Sequence, residues 1–230
     1  MRFKIVFMIC IFFLNFNAVA FPEEAHELNV SKPSINLTLN DIIDRVEETY
    51  LQTGFSADFI QESTLKALGI TDTASGTILV KRPGMMRWEY NQPEKQLIIT
   101  DGDMLWIYRP EDKQVITGNA PDFFKNGKGA GFLSDMKMLK KKFSITLEDM
   151  NGKDDYILKL LPNENMLDIS YIYLSISKNT FIIQQIISYN SFEDETKILL
   201  DHVQFQKEID NIMFHFTIPK GIDVLQLDES

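Results

Sequence analysis

The strongest constraint on the fold of this chain is a change of hydrophobic period at Gly54. From this residue onward, apolar and polar side chains alternate with a period of two through a long series of short segments, which is the pattern of half-buried β-strands. Turn residues separate the segments, and the Asp101-Gly102 pair is a strong hairpin signal. The series has no linker and no repeat, and it predicts one domain of about eleven antiparallel strands. Its members include residues 55–63, 85–91, 104–110, 171–177 and 212–219.

Two segments break this period and predict short helices. Before Gly54, apolar residues recur at helical spacing behind Thr38 or Asn40, either of which can cap the helix. The strands are interrupted again between Pro121 and Lys142. One helical face of this second segment carries four apolar residues: Phe132, Leu133, Met136 and Leu139.

An antiparallel sheet of this length must curl, and its inner apolar face needs a cover. Two short helices are a small cover for so many strands. We therefore expect a mainly β fold with short helices (α+β): an incomplete antiparallel β-barrel of about eleven strands whose mouth the helices close. A closed barrel filled by its own side chains is an alternative that periodicity alone leaves open.

The first twenty residues predict a secretory signal peptide. Arg2 and Lys4 precede an apolar run over residues 5–14, and the small residues Ala18 and Ala20 fit a cleavage site. The apolar run is about half as long as a membrane anchor requires. Residues 21–37 lack clear periodicity and predict a loose leader. The single folded domain is then expected over residues 38–230.

Composition excludes several classes of partner. Cys10 is the only cysteine and lies inside the apolar run of the predicted signal peptide, so we expect neither a disulfide nor a lipid anchor in the exported chain. The formal net charge is −10 at pH 7. Because such a surface repels nucleic acid and anionic lipid head groups, no nucleic-acid partner is expected.

Patterns for catalysis and metal binding are weak. The three histidines, His26, His202 and His215, have no cysteine partners, and the adjacent Asp201 and His202 are not accompanied by a G-x-S-x-G nucleophile motif. The "DGD" at residues 101–103 lacks the downstream ligands of an EF-hand loop. We therefore expect no enzyme activity, no cofactor and no metal.

A set of short motifs follows one order along the predicted domain. "FSADFIQ" comes after the first helix, "LVKRP" is followed by Trp88, and "DGDMLWIY" precedes an Arg-Pro pair. As a set these motifs resemble the LolA family, the outer-membrane lipoprotein carriers of Gram-negative bacteria. Residues 121–142 are the most divergent part. The motifs are residues 55–61, 79–83, Trp88, Pro93, 101–108, 109–110, Gln114 and 216–224.

The resemblance implies a fold, a location and partners. The family fold is an incomplete antiparallel barrel with helices at its mouth, and its cavity takes the acyl chains of lipoproteins. The family therefore implies a periplasmic carrier that receives acylated lipoproteins from an inner-membrane ABC-type release complex. It delivers them to a receptor at the outer membrane or to the bilayer itself. Separately, we expect the carrier to act as a monomer. Arg82 matches a family arginine that closes the lid by hydrogen bonds to backbone carbonyls.

The resemblance also places Met86 and Trp88 on the cavity wall. Phe59 and Trp106 fit a packed core as well as a cavity wall. The full set of candidate acyl-chain contacts is Met86, Trp88, Tyr90, Phe59, Trp106, Phe132, Leu133 and Met136. Two alternative hypotheses stay open at this point: a periplasmic lipid or lipoprotein sensor with the same half-barrel, and a hydrolase acting on acyl substrates.

Overall fold

A computed structural model describes residues 37–51, 54–121, 132, 133, 136–148, 155–164, 166 and 169–227. The predicted signal peptide, and the predicted leader apart from Leu37, lie outside these residues.

The first element is helix α1, Leu39–Tyr50, which matches the predicted amphipathic helix. Thr38 caps it: the Thr38 hydroxyl accepts a hydrogen bond from the Asp41 backbone N–H at 3.3 Å, and the Asp41 carboxylate accepts from the Thr38 N–H at 2.9 Å. This reciprocal capping box satisfies backbone donors that a helix start leaves without partners. The buried face of α1 consists of Ile42, Ile43, Val46 and Tyr50.

Twelve strands are found within the described residues, and they form one sheet. In chain order they are β1 Gly54–Leu65, β2 Ile70–Lys81, β3 Met85–Gln92, β4 Gln96–Asp101, β5 Met104–Arg109, β6 Gln114–Asn119, β7 Phe143–Glu148, β8 Asp155–Pro162, β9 Tyr171–Ser177, β10 Ile183–Tyr189, β11 Glu195–Gln206 and β12 Asp223–Gln226. A second helix, α2, spans Lys137–Lys142 between β6 and β7.

The sheet is open. Its strand order is β12-β6-β5-β4-β3-β2-β1-β11-β10-β9-β8-β7, so β12 and β7 are its two edges. The strands pair antiparallel except for β12, which pairs parallel with β6. The long strands β1 and β11 join the two halves of the sheet. This confirms the expected mainly β fold with an incomplete barrel.

The prediction of a strand over residues 212–219 is wrong. The segment begins as a 3₁₀ helix over Asn211–Phe214, and the Asp210 carboxylate accepts from the Ile212 N–H at 3.0 Å. A short acidic side chain that bonds a nearby backbone N–H competes with strand pairing. Phe214 is fully buried against β3 and β4, whereas Ile212 is exposed. The twelfth strand, Asp223–Gln226, was not predicted.

The core lies between one face of the sheet and the helical segments. Phe132, Leu133, Met136 and Leu139 are all buried, as their shared helical face predicts, and α2 ends in three lysines that suit the negative end of the helix dipole. Side chains of α1 join the same apolar cluster. None of the helices within the described residues has both the length and the apolar character needed to cross a membrane.

The pairing of β1 with β11 is interrupted by a bulge that holds an exposed ion pair. The register shifts between Ser56 and Asp58, and His202 has a left-handed φ of 50°. His202 Nδ1 lies 2.8 Å from the Asp58 carboxylate. The hydrogen bond with Asp58, followed by the charge of Asp201, raises the pKa of His202 above its ordinary value of 6.5.

The raised pKa predicts a pH-dependent contribution to stability. A group with a raised pKa in the folded state stabilises the fold fully below its unfolded pKa and loses that contribution as pH rises through the folded pKa. We expect Asp58→Asn to lower the His202 pKa measured by NMR. The difference in the free energy of unfolding between this variant and the wild type should be largest in mild acid. Above neutral pH this difference should disappear. A His202 pKa that is the same in both proteins would contradict this assignment.

Candidate functional site

One face of β3 carries three predicted lining residues. Met86, Trp88 and Tyr90 alternate along the strand and therefore share a face. Met86 and Trp88 are 3% and 5% exposed, and Tyr90 is partly buried against the same apolar cluster. In the neighbouring strand β2, Val80 lies opposite Met86, and Ile78 lies opposite Trp88. We call this side of the sheet the concave face.

Three aromatic rings meet on the concave face. The Phe59 ring centroid lies 5.1 Å from that of Trp88 and 5.0 Å from that of Tyr90, both edge to face. Trp88 and Tyr90 stack with centroids 6.5 Å apart. Such pairs contribute about 0.5–1.5 kcal/mol beyond their buried area.

Gly76 makes this ring cluster possible, and the prediction of lining residues omitted it. The register places Gly76 of β2 directly between Phe59 of β1 and Tyr90 of β3. A Cβ at this position would lie 3.0 Å from Phe59 Cε1 and 1.9 Å from the Glu89 carbonyl oxygen. The sequence signal was a glycine inside a strand pattern, which indicates close approach of neighbouring groups.

The helical segments cover the concave face with apolar side chains. Phe132, Leu133 and Met136 belong to the same buried cluster as Met86, Trp88 and Phe59, together with Ile43 and Val46 of α1. The structure thus brings together seven of the eight predicted lining residues, with Tyr90 at the margin.

Trp106 is the predicted lining residue that the structure places elsewhere. In register, Trp88 lies opposite Ile98 and Ile98 opposite Ile107, whereas Trp106 lies opposite Ile99. Trp106 therefore points to the other face, where its ring centroid is 6.4 Å from that of Phe216. Apolar residues fill both alternating positions of β5, so the pattern did not determine which ones face inward.

Arg82 lies at the end of the concave face that α1 covers. It occupies the turn between β2 and β3 and is half-buried. Burial raises the pKa of Tyr50, the last residue of α1, and the charge of Arg82 offsets part of that rise. The charge of Arg82 therefore acts on the buried hydroxyl of Tyr50. Tyr50 itself accepts a buried hydrogen bond from the Ile183 N–H at 3.1 Å.

A cluster of charges connects the two helices, and we call it the helix clasp. Lys140 of α2 forms an ion pair with Asp44 of α1, and its Nζ lies 3.8 Å from the Glu47 carboxylate. The hydrogen bond to Asp44 raises the pKa of Lys140. All three side chains keep some solvent exposure, so the clasp is weak and sensitive to salt.

The opposite end of β3 opens into a polar pocket of about 280 Å³, which we call the rim pocket. Gln61, Tyr90, Gln96 and Arg109 are among its lining residues. The Tyr90 hydroxyl donates to the Gln61 side-chain oxygen at 3.0 Å, and Arg109 Nε donates to the Gln96 side-chain oxygen at 3.3 Å. Burial raises the pKa of Tyr90 to about 12. The concave face thus changes from apolar at Met86 to polar at the rim pocket.

Potential metal ligands are scattered in the described part of the chain. There, the His, Cys, Asp and Glu side chains form no group of three or more that could hold a metal ion. His202 lies on the exposed bulge, and His215 follows the 3₁₀ helix.

Sequence comparison determines the family. The model of the family described as outer membrane lipoprotein carrier protein LolA matches residues 51–217. The chain belongs to the LolA family. The matched span contains β1 to β11 of the sheet.

Other LolA family members match over most of their length. An outer-membrane lipoprotein carrier protein of Neisseria meningitidis serogroup C is 31% identical over 172 residues, which cover 75% of this chain and 80% of the relative. A carrier protein of the same name from Azotobacter vinelandii is 26% identical over 213 residues, 91% of this chain and 95% of the relative.

A solved structure supports the fold alone. The crystal structure of an uncharacterized conserved protein from Thermus thermophilus aligns with a TM-score of 0.52 at 12% identity, covering 82% of this chain and 98% of that one.

The helix clasp leads to a testable prediction. Lys140→Gln removes both ion pairs between α1 and α2, and we expect it to lower the free energy of unfolding by about 0–1 kcal/mol, the usual range for exposed pairs. The difference in the free energy of unfolding between this variant and the wild type should become smaller at high salt. Urea unfolding at two salt concentrations measures this difference. Lys141→Gln, the same charge change on the exposed side of α2, is the control and should leave the clasp intact. Equal effects of the two substitutions at low salt would contradict the clasp.

Proposed function

We propose that this protein is a periplasmic, non-catalytic carrier that binds the acyl chains of lipoproteins against its concave face and transfers them from the inner to the outer membrane. The observation that carries this proposal is the way in which the concave face is covered. Its apolar residues are covered by side chains of short helical segments rather than by a second sheet. Family membership and the names of the relatives support the same function.

The physical task of such a carrier is to keep hydrocarbon out of water. A palmitoyl-type chain has about fifteen methylene or methyl groups, and at roughly 0.8 kcal/mol each its exposure costs on the order of 12 kcal/mol. Two or three chains cannot cross an aqueous compartment unaided. A lining of Met, Phe, Leu and Trp shields them without directional contacts, so it accepts chains of differing geometry.

The closed form explains why binding stays reversible. In it, Phe132, Leu133 and Met136 cover the concave face with their own apolar side chains. An incoming acyl chain replaces these contacts with similar ones, so the net gain from binding is much smaller than the full cost of exposing the chain. A recipient with more apolar contact area can then withdraw the cargo.

The chain also has the surface that a shuttle needs. Its net charge of −10 opposes adhesion to anionic lipid head groups. The proposal includes export by the signal peptide at residues 1–20, a folded domain over residues 38–230 and action as a monomer. An inner-membrane ABC-type release complex is the proposed donor, and a receptor at the outer membrane or the bilayer itself is the recipient.

Substitution of Met86 tests the acyl-binding face. Met86→Glu puts a carboxylate among apolar groups, where it is costly to bury, and we expect uptake of a diacylated peptide to fall by at least about tenfold. Met104→Glu is the matched control, because Met104 is an exposed methionine of the same sheet. Met86→Gln serves as an uncharged second variant. A folded Met86 variant that binds the peptide as well as the wild type would exclude this face as the binding site.

Arg82→Leu tests closure of the lid. A guanidinium bonded to helix carbonyls contributes about 1.5–3 kcal/mol per bond at best, so its loss favours the open, loaded form. We expect slower release of bound diacylated peptide to acceptor vesicles, by about tenfold for each 1.4 kcal/mol. The control is Arg87→Leu, since Arg87 lies next to Trp88 but on the other face, paired with Glu89. Release at the wild-type rate from the Arg82 variant would remove Arg82 from the mechanism.

A further inference from the structure

Among the residues that the structure describes, none accepts a hydrogen bond from the buried indole N–H of Trp88. Trp88 is 5% exposed. Buried polar atoms in native proteins are nearly always hydrogen-bonded, and each exception needs an explanation. A phenylalanine would fill an apolar wall without leaving such a donor.

Tyr90 follows Trp88 on the same face of β3, and Thr100 lies opposite Met86. Both hydroxyls form hydrogen bonds with groups other than the indole. The Tyr90 hydroxyl donates to Gln61, and the buried Thr100 hydroxyl accepts from the Gly102 N–H at 3.0 Å. The rings of Phe59 and Tyr90 flank the indole.

The position of Trp88 matches the chemical order of an acylated glycerol. Along β3, the rim pocket and Tyr90 are polar, Trp88 offers one donor, and Met86 is surrounded by apolar groups and the engaged Thr100. Successive residues on one face of a strand are about 7 Å apart. An ester-linked acyl chain has the same sequence: a polar head, one carbonyl acceptor and then hydrocarbon.

We propose that Trp88 Nε1 donates a hydrogen bond to the carbonyl oxygen of an ester-linked acyl chain, with the head group at the rim pocket and the hydrocarbon toward Met86. This inference rests on the proposed carrier function and names the chemical class of its ligand. A free fatty acid fits less well, because its ionised carboxylate would be buried beside a single neutral donor. An amide-linked chain would bring an N–H that needs an acceptor of its own.

The test compares two ligands that differ only at the carbonyl. One is a peptide whose N-terminal cysteine carries a dipalmitoylglyceryl group, and the other is its dihexadecyl ether analogue. Dissociation constants are measured for the mature chain by displacement of a hydrophobic fluorescent dye. The wild type should bind the ester about tenfold more tightly than the ether, which corresponds to one hydrogen bond to a previously unsatisfied donor.

Two replacements of the indole remove the donor. In Trp88→Phe the ratio of ester to ether affinity should fall to about one. The second replacement incorporates benzothienylalanine at position 88 in the Trp106→Phe background. This analogue keeps the ring size and replaces the N–H by sulfur. The ratio of ester to ether affinity can therefore still be measured without the donor if Trp88→Phe does not fold. Trp106→Phe alone is the matched control, because Trp106 lies on the opposite face, and it should keep the full ester preference.

The outcomes separate the two proposals. Equal binding of ester and ether by the wild type, or an ester preference that survives loss of the N–H, would overturn the role of Trp88 and leave the carrier function in place. Failure of the wild type to bind either lipid would overturn the carrier function and this inference together.

Discussion

The whole structure depends on keeping water away from one apolar face of an open sheet. Left uncovered, a surface of this kind would associate with other molecules. The cover comes from α1 and from the residues around α2, and it is held mainly by non-directional apolar contact, with the helix clasp as a minor polar addition. Hydrocarbon satisfies the same requirement as these side chains, so under the proposed function a lipid would replace the contacts that complete the fold.

Most of the fold could be predicted from the sequence because the alternating pattern is clean. Residues 171–177 were predicted as a strand, and β9 has these bounds. The prediction failed where the pattern had another cause. Residues 212–219 alternate like a strand, but the Asp210 side chain starts a 3₁₀ turn that aims Phe214 inward. The four residues of β12 are too few for periodicity to reveal.

The residues of the candidate site could be predicted only where the sequence indicated which face of the sheet a side chain occupies. Met86 and Trp88 lie in a strand whose inward positions are large and apolar. In β5 both alternating positions are apolar, so the sequence could not separate a cavity wall from a packed core for Trp106, which the register places on the other face. Gly76 shows a different limit. Gly76 contributes by having no side chain between the two rings. This role depends on the register of three strands, so it can be recognised only when the pairing of those strands is known.

The union of β1 with β11 has a consequence for how the chain folds. Phe59 pairs with Leu200, and the neighbours of β1 on its other side come from β2. Contacts that distant in sequence make folding slow. As the chain emerges from the ribosome or a membrane channel, one edge of β1 stays unpaired until β11 has also emerged, which requires most of the polypeptide. During that interval an exposed strand edge invites aggregation.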